Sequence, residues 1–378
     1  CPYCDFVSYV GATSSKSDVA PIDHAGYADA VLRELEARAP ALPGRPIASV
    51  FFGGGTPSLW EPLELGRVLR GVRAAFGARD DVEVTVECNP TSLDEDRARA
   101  LVDVGVGRLS IGVQALDDER LRFLGRLHDA QGARRAVRAA LRAGVPRVSA
   151  DVIFGLPGQT PAQARDDVRS LADEGLEHLS CYQLTIEPRT RFGELAKRGR
   201  LPLADDGMVA DSFVAIDEFL VARGLLHYEI SNYARPGQAS RHNLGYWRGD
   251  EYLGLGCGAY GFVRRAGGGP ARGTRWRNEV DPLRYMTTTP LPALQEEEAL
   301  DAETLLRERI MLGLRLAEGL DLDAAAGDLG LSSGGWTPAR SKASRWLEAR
   351  NRLIREGARA RIPSSAWLWA DDTAARLF

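Results

Sequence analysis

The feature that most constrains this chain is a rhythm running through its first half. Short runs rich in Val, Ile and Phe alternate with polar or glycine turns and with amphipathic helical patterns. The β runs are Ile47–Phe52, Val82–Glu87, Arg108–Gln114, Val148–Phe154 and His178–Ile186. Around them, AGYADAVLRELEAR, LELGRVLRGVRAAF and AQGARRAVRAALRAG carry apolar residues three and four apart, and Gly144 supplies a stop for the last. Such alternation means parallel strands, because parallel neighbours need a long crossover and a helix is the usual one. A β/α barrel and an open doubly wound sheet both satisfy it.

Polar and glycine residues gather where these runs end. GGGTPS (Gly53–Ser58) follows the first run, Glu87 closes the second and Gln114 the third. The fourth, ADVIFGLPG, carries Asp151; the fifth, CYQLTIEP, carries Tyr182, Gln183 and Glu187. In parallel α/β folds the carboxyl edge of the sheet hosts the ligand. The glycines of GGGTPS let backbone approach a ligand closely, and its N–H groups suit a carboxylate or phosphate. Thr56 is expected to cap the following helix, with Pro57 in its first turn. The stretch is neither a Walker A loop nor a GxGxxG fingerprint.

Past Arg200 the rhythm changes. A helix is expected near Gly207–Arg223, then a strand-like YEISNYA. From Tyr228 to Phe262 seven residues are aromatic (Tyr228, Tyr233, Tyr246, Trp247, Tyr252, Tyr260, Phe262), a density well above the chain's 7%. An Arg/Gly loop occupies 264–273. The remainder reads as mostly helical, in LLRERIMLGLRLAEGL and SRWLEARNRLIREG, with a closing hairpin and short helix. The expected division is a core at 1–234 and a smaller, mostly helical module at 235–378.

Composition narrows the function. A net charge of −4 carries no basic signature for nucleic acid. No run of about 18 apolar residues exists to span a membrane. Five cysteines are too few for a disulfide framework in 378 residues, which points to a reducing cytoplasm with thiols free for metal. Two of them open the chain as CPYCDF, a spacing shared by redox couples, zinc knuckles and iron–sulfur sites.

CPYCDF, FFGGGTPS, ECNP (Glu87–Pro90), SIGVQ (Ser110–Gln114), LGRLH (Leu124–His128) and DVIFGLPGQT (Asp151–Thr160) occur in that order. Together they resemble the radical S-adenosylmethionine (SAM) superfamily, in the branch that holds oxygen-independent coproporphyrinogen III oxidase and its haem-chaperone relatives. YEISNYA, SRHNLGYW (Ser240–Trp247) and YLGLGCGAYGF (Tyr252–Phe262) extend the resemblance into the second half.

The resemblance implies a partial (β/α)6 TIM-like barrel with its first strand truncated. It also implies a [4Fe–4S] cluster held by three thiolates of a CxxxCxxC motif, with SAM on the open iron. Cys1 and Cys4 match the last two cysteines, and the first is expected upstream of the chain, which therefore reads as a fragment. Carried over residue by residue, Tyr3 lies against the adenine, and Gly54, Gly55 and Thr56 line the methionine end of SAM. Glu87, Gln114, Arg126 and Asp151 contact its carboxylate, amino and ribose groups. A zwitterionic ligand does need both signs of partner, and an arginine can grip a carboxylate bidentately. Cys88 and Cys181 are expected to pack as small core residues.

His242 in HNLGYW could ligate haem iron, or with Asn243 it could tie down a loop while Tyr246 and Trp247 pack inside. The oxidases typically carry a further cysteine two residues past the last cluster ligand. Here that position is Phe6 in CDF, the form of the chaperones. The resemblance thus implies a haem chaperone that binds haem or porphyrin and passes it to an acceptor protein, with an electron donor for the cluster. The alternative is radical decarboxylation of coproporphyrinogen III.

Overall fold

The computed structural model describes residues 1–6, 22–77, 81–265, 271–289 and 294–378. They form two compact units, Cys1–His227 with Ser231–Ala239, and Tyr228–Ile230 with Ser240–Phe378.

In the first unit five strands run parallel: β1 (Ser49–Phe52), β2 (Glu83–Cys88), β3 (Arg108–Gln114), β4 (Arg147–Phe154) and β5 (His178–Gln183). The stretch YEISNYA does not add another parallel strand. It forms β6 (Leu226–Glu229) and β7 (Asn232–Ala234), and β7 pairs antiparallel with β5. The sheet order is β1-β2-β3-β4-β5-β7-β6, a curled half-barrel. Crossover helices include α2 (Pro62–Phe76), α3 (Glu95–Asp103), α5 (Ala130–Arg142) and α6 (Pro161–Asp173), with α1 (His24–Arg38) ahead of β1 and the short α4 (Asp118–Phe123) ahead of α5. Past β5 come α7 (Arg191–Lys197) and α8 (Asp206–Ala222).

The two faces of the sheet differ sharply. Val84, Val86, Leu109, Ile111, Ala150, Val152 and Leu179 are all buried, and they join Leu65 and Leu69 of α2 and Ala133, Ala136 and Ala140 of α5 in one core. Burying these side chains supplies most of the stability, at about 1.5–3 kcal/mol for each large one. On the opposite face the alternate residues are polar. Register sets Glu87 opposite Ser110, Ser110 opposite Ser149, and Asp151 opposite Ser180. Closer to the amino ends of the strands Arg108 bonds the Gln238 carbonyl at 2.7 Å, and Arg147 pairs with Glu83 at 3.3 Å. Those contacts fill and fix the lower interior. The upper interior is left to small hydroxyls and carboxylates.

The second unit holds α9 (Arg241–Arg248) and an antiparallel sheet of β8 (Tyr260–Arg264), β9 (Ala271–Asn278) and β10 (Leu294–Asp301), with α10 (Pro282–Thr287) between the last two. Then come α11 (Ala302–Gly313), β11 (Leu320–Asp321), α12 (Leu322–Asp328), α13 (Pro338–Glu348), the hairpin β12 (Ile354–Glu356) and β13 (Arg359–Arg361), and α14 (Ala370–Ala375). The helices, the hairpin and the short closing helix are therefore present, preceded by a sheet that the residue pattern did not announce. The helical reading of SRWLEARNRLIREG holds only to Glu348. Asn351 adopts φ 53°, and the following residues extend into β12. The middle of the Arg/Gly loop, 266–270, lies outside the described residues.

Candidate functional site

At the carboxyl edge of the sheet, the loop after β1 meets the end of β2. Gly54 and Gly55 have φ 85° and 60°, the left-handed region that glycine enters freely. This turn aims Gly54 N–H at Glu87 Oε2, 2.9 Å away. A Cβ on Gly54 would meet nothing within 4 Å, so open space stands beside it. The loop is pinned to its neighbour: the Ser58 and Ser92 hydroxyls share a 2.6 Å hydrogen bond, and Arg97 Nε donates to the Ser58 carbonyl at 2.8 Å. Thr56 does not cap a long helix as expected. It precedes a single 3-10 turn, Pro57–Leu59, without a side-chain cap bond, and α2 begins only at Pro62.

β3 ends in a register break. Gln114 takes φ 68°, and its pairing with β4 is shifted relative to Ile111. Its amide nitrogen folds back over Gly112, where a Cβ would lie 2.7 Å from it. The turn that follows α4 presents Arg126. Its Nη2 donates to Asn89 Oδ1 at 3.1 Å and to the Gly112 carbonyl at 3.3 Å, and its Nη1 lies 3.2 Å from Cys1 Sγ. The same guanidinium hydrogen-bonds the Tyr3 phenol. Its Nε is buried with no hydrogen-bond partner among the described residues. A buried donor in that state costs roughly 1–3 kcal/mol, so the site favours an incoming acceptor.

The opening cysteine segment is anchored on the same edge. Phe192 N–H donates to the Pro2 carbonyl at 2.8 Å. Gly125, with φ 64°, leaves room for Pro2, whose Cδ would lie 2.6 Å from a Cβ there. The Tyr3 ring packs on Leu121, Leu124, Ile153 and Leu156, 6.4 Å from the Phe192 ring, and burial raises its pKa. Cys1 is exposed and Cys4 partly so, both as free thiols. Cys88 and Cys181 are core residues as expected, the former pushed up to about 12 by burial.

Two half-buried carboxyls face this space. Glu87 is pushed up to about 7 by desolvation, which outweighs the Gly54 hydrogen bond, and the Asp151 charge adds to it. Asp151 is pushed up to about 6 by desolvation, against the Ser180 and Ser110 hydroxyls and the positive charges of Arg108 and Arg126. Ser110 Oγ lies 3.2 and 3.3 Å from the two Asp151 oxygens, and Ser149 Oγ stands 3.2 Å behind it.

The edge therefore joins one guanidinium with an orphaned Nε, two destabilised carboxyls, an open glycine cradle and two thiols. A zwitterion with a sulfonium centre and a ribose suits such a set, because it brings both an acceptor for Arg126 and positive charge for the acids. For a [4Fe–4S] cluster the chain supplies two thiolates of the motif's three; among the described residues no group of three or more His, Cys, Asp or Glu converges as metal ligands.

Asn89, Ser110 and Ser180 were missed as supporting residues. Asn89 and Ser110 stand inside quoted motifs, ECNP and SIGVQ, yet their partners are set by sheet register. His242 lies in the second unit, on α9 rather than in a loop. It is half-buried and edge-on to Tyr246 with ring centroids 4.8 Å apart, and burial pushes its pKa down to about 4. Ser240 caps that helix through Asn243 N–H. Tyr246 is not packed inside; it is 39% exposed.

Comparison with known proteins places the chain. The pattern of the Radical SAM superfamily matches residues 1–171, and that of the HemN C-terminal domain matches 300–369. The chain is 39% identical over 302 residues to the protein named Heme chaperone HemW from Escherichia coli, covering 80% of this chain and 76% of that one. It is 36% identical to the mitochondrial Radical S-adenosyl methionine domain-containing protein 1 of Danio rerio, over 85% of this chain and 71% of the relative. The solved structure of E. coli coproporphyrinogen III oxidase (HemN) superposes with a TM-score of 0.78 at 21% identity, covering 100% of this chain and 86% of that one. That likeness establishes the fold. The chain is thus a member of the radical SAM superfamily, in the branch whose curated relatives carry the name Heme chaperone HemW.

Proposed function

We propose that this protein is a haem chaperone, which binds haem and passes it to an acceptor protein with a [4Fe–4S] cluster and SAM in support. The observation that carries the reading is the similarity to the haem chaperones, which spans 80% of the chain. The CDF at Cys4–Phe6 supports it over the decarboxylating reading, since no further cysteine stands two residues past Cys4.

In this reading residues 1–234 form the radical SAM core and 235–378 the C-terminal domain. Cys1 and Cys4 are cluster ligands, with a further cysteine expected upstream. The Arg126 guanidinium, with its unsatisfied Nε, takes the SAM carboxylate. Glu87, held by Gly54 N–H, takes the amino group. Asp151, steadied by Ser110 and Ser180, takes ribose hydroxyls, while Gly54, Gly55, Thr56 and Gln114 shape the methionine end. Tyr3 borders the adenine. When bound, the cluster supplies an electron to SAM. His242, held neutral by burial, is a suitable axial ligand to haem iron.

The test uses the full-length, reconstituted protein. Titration with haem should give a saturable Soret band, and incubation with coproporphyrinogen III, SAM and a reductant should leave the porphyrinogen unchanged. Efficient conversion to protoporphyrinogen would establish the oxidase instead. Failure of haem to bind would remove the chaperone reading.

A further inference from the structure

Besides a cavity of about 270 Å³ walled by Tyr246, Tyr252 and Phe262, the second unit carries a concentration of positive charge on another element, α13 and the turn that follows it. Residues 338–361 hold eight Lys and Arg but only two acidic residues, Glu348 and Glu356, whereas the whole chain has a formal charge of −4. The rest of the protein is therefore acidic, and this stretch stands out against it.

Residue spacing gives α13 two faces. Arg340, Ser344 and Leu347 are buried, and Ala339, Lys342, Arg345 and Trp346 are exposed on the opposite side. On the buried side the Arg340 charge is matched by Glu303. On the exposed side it is not: the Lys342 and Arg345 side chains bond and pair with none of the described residues. Glu348, one turn beyond Arg345, accepts from the Ser344 hydroxyl instead. Arg350 donates to the Trp346 carbonyl at 3.2 Å and lies 3.9 Å from that ring's centroid. Arg376 lies 4.4 Å from the same ring and bonds Asp372 at 3.0 Å. Asp372 also pairs with Arg352 at 2.7 Å, and Arg352 Nη2 donates to the Trp369 carbonyl. These contacts tie Trp369, 52% exposed, to the same surface as Trp346.

The face thus combines three cations that no carboxylate among the described residues matches, Lys342, Arg345 and Arg350, with two exposed tryptophans. Arg and Trp are the side chains that contribute most at protein–protein contacts. Stacking on Trp346 restrains the Arg350 guanidinium, so less freedom is lost when it grips a carboxylate. A nucleic acid would answer the charge as well, but it would run past the face and be repelled by the acidic remainder. A bilayer would need the aromatic rings to enter it, and Trp346 already carries two guanidiniums.

We propose that the outer face of α13 docks a partner protein through an acidic patch on that partner. Lys342, Arg345 and Arg350 take its carboxylates, and Trp346 and Trp369 supply the apolar contact. The face forms without SAM or haem, so the proposal stands apart from the chaperone reading; under that reading the docked protein is the haem acceptor.

The probe is a fluorescein-labelled peptide of glutamates and leucines, titrated by anisotropy against the full-length protein near physiological salt. Its glutamine counterpart, an oligonucleotide of equal charge, and vesicles of phosphatidylcholine and phosphatidylglycerol serve as comparisons. Wild type should bind the glutamate peptide at least about tenfold more tightly than the glutamine one, and more weakly as salt rises. Lys342→Glu combined with Arg345→Glu should weaken the glutamate peptide by about tenfold or more, with unfolding temperature and haem titration as in wild type. Arg350→Lys, which keeps the charge but loses the planar fork, should weaken it by about threefold. Peptide binding that is absent, or unchanged in the double variant, overturns the proposal. Tighter binding of the oligonucleotide or the vesicles than of the peptide, lost in the same double variant, assigns the face to a phosphate ligand and overturns it equally. The chaperone reading falls separately, if wild type binds no haem.

Discussion

The carboxyl edge of the parallel sheet and the cavity of the second unit are opposite solutions to ligand binding. The first exposes charge that the protein leaves uncompensated: Glu87 and Asp151 are held far above ordinary carboxyl values, and Arg126 keeps a buried Nε without a partner among the described residues. In the second, Arg275 pairs with two glutamates and Arg309 with Asp328, beside a wall of Tyr246, Tyr252 and Phe262. The lesson is that the edge is completed by a charged ligand, while the cavity offers aromatic surface. Changes that act on charge should therefore separate the two.

The largest separation is expected from Arg126→Ala. Removing the guanidinium strips the edge of its acceptor grip and of its links to Cys1, Asn89 and Gly112. SAM affinity measured by calorimetry should fall on the order of a hundredfold, in keeping with a charge-assisted pair of about 3 kcal/mol, while protoporphyrin affinity changes less than about twofold. Comparable losses of both ligands would mean that the two regions are not independent.

The next effect is on stability against pH. Asp151 is raised from 3.8 to about 6 and Glu87 from 4.5 to about 7, so both bind their protons more tightly folded than unfolded. The stability they contribute is present below the unfolded values and is lost as pH rises through 6 and 7. Between about pH 4 and about pH 8 Asp151 alone should remove on the order of 3 kcal/mol from the ligand-free protein. Urea unfolding across that range should show the fall, and Asp151→Asn should lessen it by about that amount, leaving the part that Glu87 contributes. A pH profile identical to wild type in that variant would show that Asp151 does not titrate as its burial demands.

His242→Ala tests the second region on a smaller scale. Losing an axial imidazole should weaken haem about tenfold and leave iron-free protoporphyrin IX unaffected. Equal weakening of both would assign His242 to packing against Tyr246 instead. Smallest is Gly125→Ala, which places a methyl into the space of Pro2 at φ 64°. A cost of about 1–2 kcal/mol is expected, released by detachment of the opening segment. Faster maleimide labelling of Cys1 and Cys4 would report that release, and an unchanged rate would show that the Phe192 and Arg126 contacts hold the segment alone.

The parallel strands were legible because each carries apolar residues on its helix-covered face, and the glycine turns because φ above zero all but requires glycine. β10 was not legible for an equally physical reason. LQEEEALD has the composition of a helix, yet it runs as a strand because Glu298 lies opposite Arg275 of β9 and pairs with it. Nothing local in either stretch announces the other. YEISNYA was readable as extended but not as a hairpin, since pairing direction belongs to the partner strand.

What the sequence by itself determined is the chemical inventory: paired thiols at Cys1 and Cys4, carboxyls at the ends of β2 and in β4, glycines after β1, and aromatics between Tyr228 and Phe262. Spacing and periodicity carry that much because they act over a few residues. The tertiary structure alone decided that Arg126 meets Cys1, 125 residues away, and Asn89, 37 residues away. It also decided that Tyr246, Tyr252 and Phe262 wall a cavity. Such meetings are set by sheet register, by the turn at Gly125 and by the packing of α9 beside α11. They are properties of closure between distant segments, which no stretch of the chain encodes alone.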